Sequence, residues 1–580
     1  MGAPGRRSAG TLLCLAVLAG GCTTGGPPPL VTSDVAQTSG PVVDVNELTI
    51  GVDDLGGGFN PHTLADVGPV SLGVAGLVLP SPFRYGPDGV LRLDPTLAES
   101  ATVTAQQPFT VSYQLRREAS WSDGAPIAAE DFAYLAERMR GEPGAASPAG
   151  YRLISQVVSR SGGKQVEVVF DRPYPGWRTL FRNLLPAHLL KDAPGDWAQA
   201  LETGIPVSGG PFAMRAVDDG RGMVVLERND RYWGVPAVLD RLVLRQAEPA
   251  DLVAALATGG DQLAVWRADA IGLALLRERA ARLPVRPLPE PVAAELLLRP
   301  SGQALSDPKL RAAVAAAIDL TDLVRLGSGS GPGADLPARA RTLLPSQPGH
   351  APTVPDGLPG MRADQQEVAA LLAAAGYAPV GGEWLRDGLP LRLVVAAPKE
   401  RATYVTLATR VVRQLRAAGV DAELVTPTGD ELFGAMTAPA PAGGNPADTT
   451  TTPAAPPAER AVDIAVVPRP VTGDPAADLV SWYGCAGPAP TKGEPAVPGN
   501  PTGYCNRSLQ ADLDDLLTGA STLGETLPAI EAALWLDLPS IPLFQHAVVL
   551  VTGPGLDRVE PGGLLTGPFA EAEHWRRTPR

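Results

Sequence analysis

The chain is poor in the residues that most often carry chemistry. Four cysteines and five histidines are all that 580 residues contain. The histidines are scattered, so they spell neither a zinc signature nor a Ser-His-Asp arrangement. Two cysteines, Cys14 and Cys22, fall in the first 22 residues, which leaves Cys485 and Cys505. No further Cys or His stands beside that pair at ligand spacing, so no metal and no other cofactor is expected. Positive charge is also short: 48 Lys and Arg against 62 Asp and Glu give a net charge of −14. That is the wrong sign for a phosphate backbone, and nucleic acid is not expected as a partner. After the N-terminal stretch no run is long and apolar enough to cross a bilayer, which takes about 18 residues or more. Gly327 to Gly333 is rich in Gly and Ser, but Pro332 occupies the third glycine position of a dinucleotide loop and no strand precedes it, so it reads as a plain loop. Ser-x-x-Lys occurs at Ser306 to Lys309 and at Ser161 to Lys164, in unrelated contexts, and the first is better explained as a helix cap than as a nucleophile. No enzyme is expected.

What is present begins with an export signal over residues 1–22. Arg6 and Arg7 supply positive charge, and Thr11 to Leu18 is an apolar run too short to span a membrane. Ala19-Gly20-Gly21-Cys22 resembles a lipobox, with Ala19 standing where leucine is usual; the alternative is an ordinary secretory signal with a chance cysteine. In the lipobox reading Cys22 is acylated and two acyl chains hold the protein on the outer face of the cell membrane. Residues 23–46, rich in Gly, Pro, Thr and Ser, form a flexible tether because they cannot bury enough apolar surface to order themselves. Roughly 530 residues remain, enough for two or three lobes with cores of their own. In an exported chain Cys485 and Cys505 are either a disulfide or two free thiols. The oxidising compartment favours the bridge, and closing a loop of this length contributes about 3 kcal/mol.

Strands and helices alternate in the remainder. Phe132, Leu135, Ala136 and Met139 recur at helical spacing between Ala128 and Arg140, with Glu130 and Asp131 at the end where the helix dipole favours acids. Ser306 caps a second helix, with Pro308 in its first turn and Leu310, Ala313, Val314, Ala317 and Ile318 on one face. A third runs from about Asp364 to Ala375 and stops at Gly376. Leu391 to Ala397 and Val420 to Leu424 then read as strands around an amphipathic helix from Tyr404 to Ala418, and Asp463 to Val467 as a further strand, which implies an α/β lobe with a largely parallel core. Residues 437–460, almost entirely Ala, Pro, Thr, Gly and Asn, read as a disordered surface insertion.

Several phrases carry a family resemblance. Asp94-Pro95-Thr96-Leu97-Ala98-Glu99-Ser100, Trp121-Ser122-Asp123-Gly124 with Ala129-Glu130-Asp131-Phe132, Ser208-Gly209-Gly210-Pro211-Phe212, Asn229-Asp230-Arg231-Tyr232-Trp233-Gly234 and the Asp307 to Asp319 helix all resemble, in the same order, the family 5 extracytoplasmic solute-binding proteins. The resemblance implies an α/β fold of two lobes, the periplasmic-binding-protein-like fold of type II, cluster C, with an extra inserted domain. Its implied layout is lobe I in residues 47–80, 205–290 and 540–580, the inserted domain in 81–204, and lobe II in 291–539. It implies a monomer that closes around a ligand in the interlobe cleft and hands it to an ABC permease or acts on another membrane protein. Further phrases, including Leu77 to Ser81, Pro148 to Tyr151, Leu185 to His188, Tyr483-Gly484-Cys485 and Cys505 to Ser508, are similar to a mycobacterial lipoprotein branch. That branch implies a phosphatidylinositol mannoside, a glycolipid, in place of a peptide, and regulation of cell-wall lipoglycan synthesis without transport.

Peptide-binding members usually hold the peptide amine with an aspartate. Asp474 stands in the corresponding stretch, either as that carboxylate or as a turn residue before Pro475; the Trp expected shortly before it is replaced by Pro468-Arg469-Pro470, which weakens the peptide reading. Asn60, before Pro61, lies in the segment that enters the cleft in relatives, but Asn-Pro is also a common turn. Trp266, Trp482 and Tyr483 are aromatic residues suited either to stacking on a sugar or peptide or to filling a core.

Overall fold

The computed structural model describes residues 46–193, 197–302, 304–351, 353–354, 362–439, 461–486 and 497–577. Cys22, the signal and all but Asn46 of the tether lie outside these, as does most of the 437–460 insertion. In chain order the main strands are β1 (Glu47–Val52), β2 (Ala98–Gln106), β3 (Phe109–Leu115), β4 (Ile154–Arg160), β5 (Gln165–Phe170), β6 (Phe212–Asp218), β7 (Met223–Arg228), β8 (Arg241–Gln246), β9 (Leu263–Trp266), β10 (Val285–Leu298), β11 (Arg392–Ala396), β12 (Asp421–Val425), β13 (Ile464–Pro470) and β14 (Ser540–Thr552). Among the described residues ten of them form one sheet in the order β12-β11-β13-β10-β14-β9-β1-β8-β7-β6.

The order explains how one sheet serves two lobes. At one end β1 lies parallel to both β8 and β9; at the other β11 lies parallel to both β12 and β13. The centre is the long antiparallel pair β10 and β14, of 14 and 13 residues. Their two ends reach different apolar cores: Val548 and Leu550 pack with β1 and β8, whereas Leu296, Leu298, Ile541 and Leu543 pack with β11 and the helix Ala402–Ala417. The pairing slips between Pro289 and Ala293. Pro289 and Pro291 have no N–H to give to a ladder, so the strand bulges there and turns Glu290 and Pro291 away from regular pairing.

A four-stranded antiparallel sheet, β2-β3-β5-β4, forms a separate layer. β3 alternates strictly, with Phe109, Val111, Tyr113 and Leu115 buried. The helix Ala129–Gly141 packs on this sheet with Phe132, Leu135, Ala136 and Met139 buried, the face its periodicity gives. Asp131 does more than answer the dipole: its carboxylate accepts Ala128 N–H and Ala187 N–H, each at 2.9 Å. This layer shares one continuous apolar core with β1, β8 and the helix Pro69–Val78.

Local readings hold with one correction. The helix Gln365–Ala374 is capped by Asp364 and followed by Gly376 at φ 86°, and the helix Ala402–Ala417 is followed by Gly419 at φ 81°. The helix Pro308–Ala317 is capped by Asp307, whose carboxylate accepts Lys309 N–H at 2.9 Å, and not by Ser306. Proline at the first helical position puts the cap one residue before it, and that residue is Asp307. Cys485 and Cys505 form a disulfide across a separation of 20 residues. Among the described residues no helix is long and apolar enough to cross a membrane.

Candidate functional site

Two cavities meet where the inserted layer, the β10 bulge and the end of β13 converge. The larger, about 330 Å³, has apolar walls from Leu72, Phe83, Leu288, Val548, Leu565 and Phe569, and polar ones from Arg84, Tyr85, Arg182 and Asn183. The smaller, about 100 Å³, is bordered by His62, Tyr151, Tyr174, Pro470 and Thr472. Leu72, Arg182, Asn183, Pro291 and Leu565 border both. Residues 561–570, including Gly562, Gly563 and Gly567, close one side of the larger cavity.

Arg182 is set into this space by an unusual stretch of backbone. Phe181 and Asn183, on either side of it, both have left-handed backbone, with φ of 61° and 52°. For residues with a β-carbon that conformation costs roughly 1–2 kcal/mol each. Side chains hold it in place. Phe181 N–H donates to the Tyr151 hydroxyl and Asn183 N–H to the Ser81 hydroxyl, both at 2.8 Å. His62 Nε2 donates to the Asn183 carbonyl at 2.9 Å. Burial pushes His62 down to about 4, so the ring is neutral near pH 7. Strain maintained by surrounding groups is a mark of functional positions.

The charge so placed is poorly compensated. Arg182 lies over the Tyr85 ring, 4.9 Å from its centroid, and donates from Nη1 to the Thr472 carbonyl at 3.3 Å. Among the described residues no carboxylate pairs with it, and burial lowers its pKa without discharging it. Arg84 differs, with its donors taken by Asp94 at 2.6 Å and by the Gly76 and Leu79 carbonyls at 2.7 and 3.1 Å. Thr472 is held by Asp478, which accepts its N–H at 2.9 Å and its hydroxyl at 2.8 Å. Ser147, from the inserted layer, donates to the same carboxylate at 2.9 Å. Chemically, the site offers one cation without a carboxylate partner in a pocket whose other charged side chains, Arg84 and Glu290, are each paired, with Asp94 and Arg267, and whose remaining wall is mostly apolar, a match for an anionic group attached to an apolar one.

None of the five residues singled out in the sequence lines either cavity. Asp474 caps the helix Pro475–Tyr483, accepting Ala476 and Ala477 N–H at 3.1 and 3.2 Å, and its other oxygen accepts the Tyr174 hydroxyl at 2.5 Å. Tyr174 itself borders the smaller cavity. Asn60 is fully buried and folds its own loop: Oδ1 accepts His62 N–H at 3.1 Å, and Nδ2 donates to the Trp197 carbonyl at 3.2 Å. Trp266, at the end of β9, is buried among Leu252, Leu256 and Val549. Trp482 is buried against Leu432, Phe433 and Leu479. Tyr483 is buried too, and its hydroxyl meets Glu295 at 3.3 Å and Ser540 at 3.0 Å. Arg182 escaped the sequence reading, whereas its supports Ser81 and Tyr151 end two of the phrases that carry the resemblance, Leu77 to Ser81 and Pro148 to Tyr151, though with no role assigned to them. The nearest signal was the Leu185 to His188 phrase, a few residues on.

The sheet with two parallel ends, the inserted layer and a pocket between them define a binding protein of two lobes, and the comparison with known proteins gives its family. The model of bacterial extracellular solute-binding proteins, family 5, middle region, matches residues 92–454, and the chain belongs to that family. The probable monoacyl phosphatidylinositol tetramannoside-binding protein LpqW of Mycobacterium tuberculosis is 33% identical over 98% of both chains. The oligopeptide-binding protein OppA of the same species is 26% identical over 69% of this chain and 68% of its own. Among solved structures, the oligopeptide-binding protein AppA of Bacillus subtilis, in complex with a nonapeptide, superposes with a TM-score of 0.70 at 14% identity over 92% of this chain and all (100%) of its own. The periplasmic EDTA-binding protein EppA gives 0.68 at 22% identity, over 92% of this chain and 97% of its own. These structures share the type II periplasmic-binding-protein fold.

Proposed function

We propose that this chain is an extracytoplasmic lipoprotein, anchored through Cys22, that binds an amphiphile bearing an anionic headgroup, of the phosphatidylinositol mannoside kind. One observation carries the reading: Arg182 faces a cavity without a carboxylate partner while most of the remaining wall is apolar. A half-buried cation without a counter-ion is costly, and a ligand phosphate would relieve that cost. The name of the relative at 33% identity supports the same ligand class. In this proposal Asp474 acts through Tyr174 and Asn60 through His62, both of which border the smaller cavity, while Trp266, Trp482 and Tyr483 fill cores away from the ligand. The protein then works at the cell envelope as a receptor or regulator.

A second reading, delivery of a peptide to an ABC permease, is favoured by the likeness to OppA, with Arg182 receiving the peptide carboxylate. Native mass spectrometry of the chain from Val45 onward, which forms one compact unit, separates the two. Co-purified phospholipid, and a thermal shift with phosphatidylinositol mannosides but not with peptides, is the expected result. A shift with peptides alone would replace the first reading by the second.

A further inference from the structure

The chain enters its folded unit at the start of β1, and the surface around that point has a character of its own. Asn46 is fixed there: its carbonyl accepts Asp240 N–H at 3.0 Å, and its Nδ2 donates to the Val238 carbonyl at 3.2 Å. The residues leading into β8 therefore flank the entry, and two of them are exposed valines, Val235 at 67% and Val238 at 37%.

The register of the sheet brings a basic segment to the same end. Ile50 of β1 stands beside Leu263 of β9, Leu263 stands beside Thr552 of β14, and Thr552 N–H donates to the Pro284 carbonyl at 3.4 Å. β10 runs in the same direction as β1, being antiparallel to β14 as β9 is. The residues just before Val285 thus lie at the same edge of the sheet as Asn46, three strands across or roughly 15 Å. The helix Ala270–Arg279 returns to that edge from the far end of β9, and its last turn carries Arg277 and Arg279. Arg282 and Arg286 follow, and the C-terminal Arg576 and Arg577 lie beside β1, with Arg577 donating to the Glu47 carbonyl at 2.9 Å. All six arginines are exposed, and among the described residues none has an ion-pair partner.

Their number is not explained by the helix end alone. The dipole favours Arg277 and Arg279, but its influence fades within a turn and does not reach Arg282, Arg286 or the C-terminal pair. Nearby acids do not cancel them: Glu47 and Asp240 are already paired, with Arg241 at 3.2 Å and Arg228 at 2.6 Å, which leaves Glu278 and Asp557 on these segments. In a chain of net charge −14, an excess of arginine beside exposed Val235, Val238 and Val285 matches an anionic lipid surface, where guanidinium groups meet phosphates and the valines meet the headgroup boundary. Position selects a bilayer over a soluble anion. Only residues 23–45 separate Asn46 from Cys22, the anchor of the proposed function, a span of at most about 85 Å, and any pull from that anchor is applied at this edge. We propose that this edge of the sheet docks on an anionic lipid bilayer.

The position argument rests on the Cys22 reading, but the test leaves Cys22 out and judges the surface by itself. The chain from Val45 onward, one compact unit, is sedimented with vesicles of phosphatidylcholine alone, and with vesicles of phosphatidylcholine and phosphatidylglycerol in equal parts. Binding is expected to the anionic vesicles at low salt and little to the neutral ones. Each arginine near an anionic surface is worth roughly fivefold in partitioning, so Arg277→Gln with Arg279→Gln and Arg282→Gln should weaken binding roughly tenfold or more at an unchanged melting temperature. Val235→Ser should weaken it severalfold. Two controls should bind like the wild type: Arg182→Met, and the charge-matched set Arg386→Gln, Arg392→Gln and Arg413→Gln, whose arginines are exposed around β11 at the other side of the sheet. No binding to the anionic vesicles would overturn the proposal, as would equal loss in both triple variants or loss in Arg182→Met alone. Binding to polyglutamate in place of the vesicles, lost in the first triple variant, would assign the surface to an acidic protein segment instead.

Discussion

Replacing Arg182 by methionine separates a binding role from a structural one. In the unliganded protein the guanidinium contributes one long hydrogen bond, 3.3 Å to the Thr472 carbonyl, and a cation–π contact 4.9 Å from the Tyr85 centroid. These contribute roughly 1 kcal/mol each at most. Against them stands the desolvation of a charge that no described carboxylate pairs with. The Met side chain keeps much of the stem volume and removes the charge, so stability is expected to change by no more than about 1 kcal/mol in either direction. Affinity for an anionic ligand behaves differently. A hydrogen bond to a charged group contributes about 1.5–3 kcal/mol, so the dissociation constant should rise roughly 10- to 150-fold. The assay is calorimetric titration of wild type and variant with lysophosphatidylinositol, and with a monoacylglycerol of the same chain length as the neutral control, alongside thermal melts. The expected pattern is a large loss for the anionic lipid, little change for the neutral one, and similar melting temperatures. An equal loss for both lipids, or a collapse of the melting temperature, would refute the reasoning, because Arg182 would then be a packing residue.

Other expectations follow from single features. Replacing Cys485 and Cys505 by serine should lower stability by about 3 kcal/mol, from the entropy of a 20-residue loop, and calorimetry with and without reductant should show no further loss in the variant. Burial pushes Asp66 up to about 7, with Asp430 adding to the effect. A carboxyl whose folded pKa is raised contributes stability below its unfolded pKa, near 4, that is lost as pH climbs through 7; Asp66→Asn should therefore gain on wild type in melts between pH 4 and 8, and a constant difference across that range would count against it. Gly473 has φ of 96°, and a β-carbon there would stand 2.0 Å from the Tyr85 hydroxyl. Gly473→Ala should thus cost roughly 1 kcal/mol or more in urea unfolding, whereas Gly524→Ala, with open space around it, should be neutral or mildly stabilising.

Legibility in the sequence followed the range of the interactions. The run from Leu391 to Leu424 could be read because helical and strand periodicities are local and glycines punctuate them, and the structure has the two strands and the helix there. The family phrases were legible for the same reason: Trp121-Ser-Asp-Gly is a self-contained turn, with Gly124 N–H donating to the Trp121 carbonyl at 2.9 Å. The site was far less so. Asn183 tolerates a left-handed backbone, but nothing announces one at Phe181, since phenylalanine is a poor candidate for it; the conformation is enforced by Tyr151, Ser81 and His62, which lie 30, 102 and 121 residues away from the groups they hold. Likewise Tyr174 and Asp474, 300 residues apart, are joined by the fold alone. An aspartate before proline looks the same in sequence whether it caps a helix, holds a neighbour's hydroxyl or waits for a ligand.

The central strand pair has a mechanical meaning. β10 and β14 run unbroken from one core into the other, so the lobes share a beam and not a pair of flexible tethers. Any separation of the lobes must bend or twist that beam, and its compliant point is where pairing slips between Pro289 and Ala293. Glu290 and Pro291, which wall the first cavity, sit at that point. Filling the cavity and curving the sheet are therefore one deformation: a ligand that braces the bulge stiffens the beam, and a load on the beam is felt at the ligand.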